Sequence, residues 1–277
     1  MRLANLNGRA AVVVDGRVVD VEHATGGDLP SDPMTLVGRL EELVGLDVPS
    51  DAPQLDSTQL GPPLPRPSKI LAAALNYRSH AEESGLPIPD APVLFAKLSS
   101  ALNGPHGNIV IPAARDKVDW EAELVLAISK RGKDIPAGEA WSHVAGVMCG
   151  QDISDRAEQF RSVRQFTMAK SRDSYAPTGP VLVTPDELPD RDDVAVRCSV
   201  DGEEVQNGRT SDLIFPVPEL IAFISSWCTL EPGDLIYTGT PSGVGDSREP
   251  PRYLSPGNVV ETEIEGIGML RNACVSG

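Results

Sequence analysis

Val118-Asp119-Trp120-Glu121-Ala122-Glu123-Leu124-Val125-Leu126 opens a run, residues 117–128, that alternates into a β-strand and ends in apolar residues. On a strand, side chains at i and i+2 share one face, so Glu121 and Glu123 point the same way across Ala122. Two carboxylates held side by side repel one another. They need a cation, a shared proton or water. Hard divalent ions such as Mg²⁺ and Mn²⁺ take oxygen ligands of this kind. A solvent-facing polar stripe on an edge strand would carry the same pattern. A third carboxylate, Asp152, follows an apolar strand at 144–149 in Gly150-Gln151-Asp152. Strand ends often mount ligands, yet spacing alone does not bring 152 next to 121.

Outward from this strand the chain reads as β-rich. Residues 10–21 form a hairpin around Asp15-Gly16, and 194–200 with 203–206 form another around Asp201-Gly202. Leu36, Leu40 and Leu43 are spaced for one face of a helix over 34–45. A helix over 216–227 has Pro216 near its first turn. Ile70 to Leu75 is a short strand, and further strands fit 234–238 and 258–265. From Pro49 to Pro67 the chain is rich in Pro, Asp and Gln with little periodicity, which reads as a linker. The expected division is a small N-terminal region with its linker over 1–66 and a main domain over 67–277.

Composition narrows the function. The 277 residues carry 24 Lys and Arg against 40 Asp and Glu, a net charge of −16. That repels phosphate backbones, so nucleic acid is not an expected partner. It also repels anionic substrates at long range, so such a substrate needs a local cation. Cys149, Cys198, Cys228 and Cys274 are widely spaced without a CxxC pair, which disfavours a cysteine zinc site. They read as free thiols of a reducing cytoplasm. No apolar run reaches the roughly 18 residues of a membrane span, and no signal peptide is apparent. A soluble, cytoplasmic protein is expected.

Three further groups carry chemistry. His80 and Glu83 are three apart in Ser79-His80-Ala81-Glu82-Glu83, neighbours on one helical turn. A carboxylate beside an imidazole fixes its tautomer and raises its basicity, as a general base requires. An exposed helix carrying both by chance would look alike. Gly85-Leu86-Pro87-Ile88-Pro89 after it reads as a mobile lid or a rigid proline turn. Lys170 stands alone in Ala169-Lys170-Ser171. Thr238-Gly239-Thr240-Pro241-Ser242-Gly243-Val244-Gly245 is a glycine-rich loop that lacks both the Walker A pattern and G-x-G-x-x-G. Its hydroxyls and N–H groups suit a carboxylate.

In order, several segments resemble the fumarylacetoacetate hydrolase family from about Lys69 to Val275. They are Leu75-Asn76-Tyr77 with His80 and Glu83, Phe95-x-Lys97, Val118 to Leu124, Asp152-Ile153-Ser154-Asp155-Arg156, Lys170-Ser171-x-Asp173 and Pro177-x-Gly179-Pro180. Gly202-x-x-x-Gln206, Leu230-x-Pro232-Gly233-Asp234 and the glycine-rich loop complete the set. Ala74, Leu98 and Ser171 to Tyr175 depart from the family pattern.

The resemblance implies a mixed α/β, β-rich fold, a sheet roll around a metal cleft, in a homodimer. It implies Mg²⁺, Mn²⁺ or Ca²⁺ held by Glu121, Glu123 and Asp152. It implies catalytic roles for His80, Glu83 and Lys170 and substrate contacts from Tyr77, Arg156 and Thr240. The implied substrate is a small 2-oxo or diketo acid. The expected reaction is hydrolysis of a C–C bond in an acylpyruvate. Decarboxylation of a β-keto acid such as oxaloacetate, or isomerisation, is the alternative on the same site.

Overall fold

In the computed structural model, which describes residues 1–277, the run at 117–128 becomes two strands, Val118–Asp119 and Ala122–Ile128. Trp120 and Glu121 form the break between them. All seven residues of Ala122–Ile128 are buried. The cause is position: the strand lies inside a sheet, paired with Val144–Gln151 on one side and Leu235–Tyr237 on the other. An edge strand with a wet polar stripe is therefore excluded. Leu124, Leu126 and Ile128 face one apolar core, and Val125 and Ala127 face a second. Glu123 lies on the same strand face as the second pair.

The full sheet has ten strands. Its order is Arg17–Asp20, Arg9–Val14, Arg2–Leu6, Ala176–Val183, Val144–Gln151, Ala122–Ile128, Leu235–Tyr237, Ile70–Ala74 and Val93–Lys97. Leu102–Asn103 adds in parallel to Ala176–Val183. A second sheet runs Glu203–Arg209, Ala195–Val200, Val259–Ile264, Gly268–Ser276 and Ile109–Ile111. Val196, Cys198, Val200, Val260 and Leu270 of this sheet share the first core with Leu124 and Leu126. The fold is a strand-rich mixed α/β roll of two packed sheets.

The N-terminal hairpin is part of the large sheet. Arg2 and Leu3 pair with Val183 and Leu182. The chain between Pro49 and Pro67 runs beside the hairpin, with bridges Arg17 to Gln54 and Leu6 to Leu60, and it buries Leu64.

The helix expected over 34–45 is two short pieces, Pro33–Leu36 and a 3₁₀ turn Leu40–Leu43. Leu36, Leu40 and Leu43 are buried as the spacing implied. Between the two pieces the backbone at Gly38 passes close to Ser129, just past the end of the central strand. A Cβ there would lie 3.0 Å from the Ser129 carbonyl oxygen. The longest helix, Val217–Trp227, forms where expected. No helix is long and apolar enough to cross a membrane.

Gly150 faces Glu123 across the ladder. A Cβ at Gly150 would lie 2.3 Å from Val125 Cγ2 and 2.9 Å from Tyr237 Cε1. Gly150→Ala should therefore lower the unfolding free energy by about 1–3 kcal/mol, the usual cost of overpacking a core. Urea unfolding measures it, and an unchanged midpoint would show that the strands can part at no cost.

Candidate active site

The break at Trp120 and Glu121 leaves three consecutive N–H groups without ladder partners. Each finds a side chain instead. Trp120 N–H donates to Asp119 Oδ1 at 2.8 Å, Glu121 N–H to Gln151 Oε1 at 2.9 Å, and Ala122 N–H to Gln206 Oε1 at 2.9 Å. A buried N–H left unpaired costs about 1–3 kcal/mol, so these three side chains make the break tolerable. The free Glu121 carbonyl then accepts the Asp152 N–H at 2.9 Å. That bond brings residue 152 beside residue 121, which sequence spacing does not reveal.

One carboxylate oxygen from each of Glu121, Glu123 and Asp152 lies within 4.8 Å of the other two, and all three residues are buried. Three buried cations surround them. Lys170 Nζ donates to Glu121 Oε2 at 2.6 Å, to Asp152 Oδ2 at 2.7 Å and to Ser154 Oγ at 2.7 Å. Lys97 Nζ pairs with Asp152 and with the Lys170 carbonyl. Arg156 pairs with Glu121 Oε1 at 2.8 Å and with Asp119 Oδ2 at 2.7 Å. With Asp119 included, four buried carboxylates face three buried cations.

The imbalance falls on Glu123. Burial pushes the Glu121 carboxyl up, but Lys170, Arg156 and His80 outweigh it and hold it down at about 2. Glu123 has only the Gly239 N–H, at 2.7 Å. Burial, then Asp152 and Glu121, push its carboxyl well above the ordinary range. The ligand set is all carboxylate oxygen and is one positive partner short. It fits a hard divalent ion such as Mg²⁺ or Mn²⁺.

The dyad lies on the wall of the same cleft. The helix Arg78–Glu83 places His80 Nδ1 3.4 Å from Glu83 Oε2. Glu83 Oε1 accepts the Gly243 N–H at 2.8 Å, and the Ser79 N–H donates to Asp212 at 3.0 Å. The helix is thus docked on the glycine-rich loop. Asp119 holds the other end of that loop through the N–H groups of Gly245 at 2.7 Å and Asp246 at 3.0 Å. Positive φ at Gly239 and Gly243 lets the loop turn between these anchors. A cleft of about 490 Å³ joins His80, Glu83, Glu121, Glu123, Lys170 and Thr240.

The remaining expected residues divide. Arg156 and Thr240 line the cleft, but both are engaged by the protein. Thr240 Oγ1 donates to the Ala122 carbonyl at 2.9 Å and accepts from Gln206 Nε2 at 2.8 Å. Lys170 has spent all three N–H donors on Glu121, Asp152 and Ser154. Tyr77 does not line the cleft; it is fully buried, and its hydroxyl has no hydrogen-bond partner. Sequence reasoning missed the holding roles of Lys97, Asp119, Gln151 and Gln206. Lys97 and Gln206 stood among the residues that carry the family resemblance, but nothing in their spacing told what they hold.

Comparison with known proteins agrees with this geometry. Residues 69–275 match the family model described as fumarylacetoacetate (FAA) hydrolase C-terminal. The chain is 39% identical over 276 residues to the oxaloacetate tautomerase FAHD2A, mitochondrial, of Bos taurus, covering 94% of this chain and 88% of that protein. It is 38% identical over 258 residues to the 2,4-didehydro-3-deoxy-L-rhamnonate hydrolase of Sphingomonas sp. (strain SKA58), covering 93% and 88%. The maleylpyruvate hydrolase of Sphingobium sp. SYK-6, solved with manganese(II) and pyruvate, superposes with a TM-score of 0.83 at 29% identity over 100% of both chains. With the matched span, the two-sheet roll and the buried carboxylate triad in agreement, this chain belongs to the fumarylacetoacetate hydrolase family.

Proposed function

We propose that this chain is a divalent-metal-dependent hydrolase that cleaves a C–C bond in an acylpyruvate or a related diketo acid. The observation that carries the reading is the His80–Glu83 pair in one cleft with Glu121 and Glu123, whose carboxylates cluster with that of Asp152 buried behind them. A cation held by those three residues would polarise the oxygens of a 2-oxo acid and offset negative charge as it develops. It would also let a chain of net charge −16 accept an anion.

The protein's own groups supply the rest. Glu83 orients His80, leaving the far ring nitrogen to take a proton from water. The water oxygen adds to the distal carbonyl, and the bond to the neighbouring carbon breaks. That carbon takes the electron pair and then a proton, which His80 is placed to return. Lys170, saturated by its own carboxylates, acts as a positioning residue for Glu121 and Asp152.

Tautomerisation of a small 2-oxo diacid is a second reading, favoured by the 39% identity to an oxaloacetate tautomerase. It uses the same base on a C–H proton and needs no attacking water. Products separate the readings: two carbon fragments from an acylpyruvate mean hydrolysis, keto–enol equilibration of oxaloacetate without fragments means tautomerisation, and CO₂ means decarboxylation.

Two outcomes are expected. EDTA should abolish turnover and Mg²⁺ or Mn²⁺ restore it, with Glu123→Gln costing about 10³-fold in kcat together with metal affinity. Full activity in exhaustively chelated protein would end the metal reading. His80→Ala should slow acylpyruvate cleavage by ~10²–10⁴-fold, the range for loss of a general base, while calorimetry finds Mg²⁺ affinity unchanged. A loss under threefold would remove His80 from the chemistry.

A further inference from the structure

Apart from His80, three cationic side chains line the cleft: Arg156, Lys170 and Arg164. The first two are spent. Arg156 is paired with Asp119 and Glu121, and Lys170 with Glu121 and Asp152. Arg164 has no carboxylate partner. The acid nearest to it in sequence, Glu158, is already taken by Arg115 and Arg161. The Arg164 guanidinium lies over the Phe160 ring, 6.0 Å from its centroid, and Phe160 also lines the cleft. Phe160 keeps 48% of its surface exposed, although a residue this apolar is usually covered.

A solvated arginine is the ordinary fate of such a residue in an exposed segment. Two observations set this one apart. It borders the same cleft as Glu121 and Glu123, and its guanidinium lies over an aromatic ring that lines that cleft too. An arginine beside an aromatic face keeps its N–H donors free to meet a planar anion in bidentate fashion. In a cleft that also carries Glu83, Glu121, Glu123 and Asp246, an uncommitted cation has one use: a second negative charge on the ligand.

We propose that Arg164 is a specificity-determining residue that binds the terminal carboxylate of a 2-oxo dicarboxylic acid, the other end of which meets the Glu121–Glu123–Asp152 triad. This rests on the reading of the cleft as a 2-oxo acid site and adds to it the class of the distal group. A 2-oxo monoacid would keep the triad end and lose the Arg164 end.

The test is calorimetric binding to the Mg²⁺-loaded protein, with no turnover required. The probes are 2-oxoglutarate, 2-oxoadipate and 2-oxopimelate, each beside the 2-oxo monoacid that carries a methyl in place of the terminal carboxylate. At one or more of these lengths the diacid should bind about tenfold tighter than its monoacid partner, a charged hydrogen bond discounted for exposure. Arg164→Gln should erase that preference and leave monoacid and Mg²⁺ affinity unchanged, and Arg164→Lys should retain most of it. The role of Arg164 is overturned by the absence of a diacid preference at every length, by a preference that survives Arg164→Gln, or by an equal loss for both members of a pair. Failure of diacids and monoacids alike to bind the wild-type protein would instead overturn the 2-oxo acid reading, and the proposal with it.

Discussion

Burying several carboxylates in one place is the constraint around which this molecule is arranged. An ionised carboxylate moved out of water costs several kcal/mol even after relaxation, and like charges at close range add to that cost. Glu121, Glu123, Asp152 and Asp119 are all buried within one neighbourhood. Their counter-charges come from distant parts of the chain: Lys97 from the edge strand Val93–Lys97, Arg156 from the turn after Asp155, and Lys170 from the end of the short helix Phe166–Ala169. None of these cations is a sequence neighbour of the carboxylate it serves. The site is complete only where these separate segments meet.

This arrangement divides the labour among the polar residues. Lys170 and Lys97 are better understood as part of the foundation under the carboxylates than as groups that meet substrate. Removing one partner of such a buried pair typically costs about 3–5 kcal/mol, because the other charge is stranded. Loss of activity on replacing Lys170 would therefore report first on the integrity of the ligand set. His80 differs. It is only half-buried, its hydrogen bond to Glu83 is long at 3.4 Å, and its far ring nitrogen has no partner in the protein. It has the freedom that a proton carrier needs.

Local features of the fold were legible in the sequence because they obey short-range rules. The Asp15-Gly16 and Asp201-Gly202 turns and the helix after Pro216 appear as read, and the Glu121 and Glu123 carboxylates converge although Glu121 sits in the break before the strand. The helix expected over 34–45 is instead two short pieces, with Gly38 between them lying close to Ser129, a contact that no local spacing reveals. The strand expected over 117–128 is broken because side chains from residues 151 and 206 offer its N–H groups an alternative to the ladder. Asp152 entered the site through family resemblance, since its bond to the Glu121 backbone joins residues that no periodicity connects. Arg164 gave no signal at all, because an arginine in a polar loop is unremarkable until the loop is folded over a cleft.

Gln206 bears on how the chain can be divided. It belongs to the five-stranded sheet, yet its amide bonds Ala122 in the ten-stranded sheet together with Thr240 and the Pro241 carbonyl in the glycine-rich loop. The strand that carries Glu123 is therefore stapled from outside its own sheet, at the seam where the two layers meet. The carboxylate cluster is in this sense indivisible. A fragment that keeps every carboxylate but omits the 203–209 strand would lack the clasp on Ala122, between the two glutamates. Recombination or circular permutation of such a chain would have to respect that seam, because moving the ligands alone would not move the geometry that makes them a site.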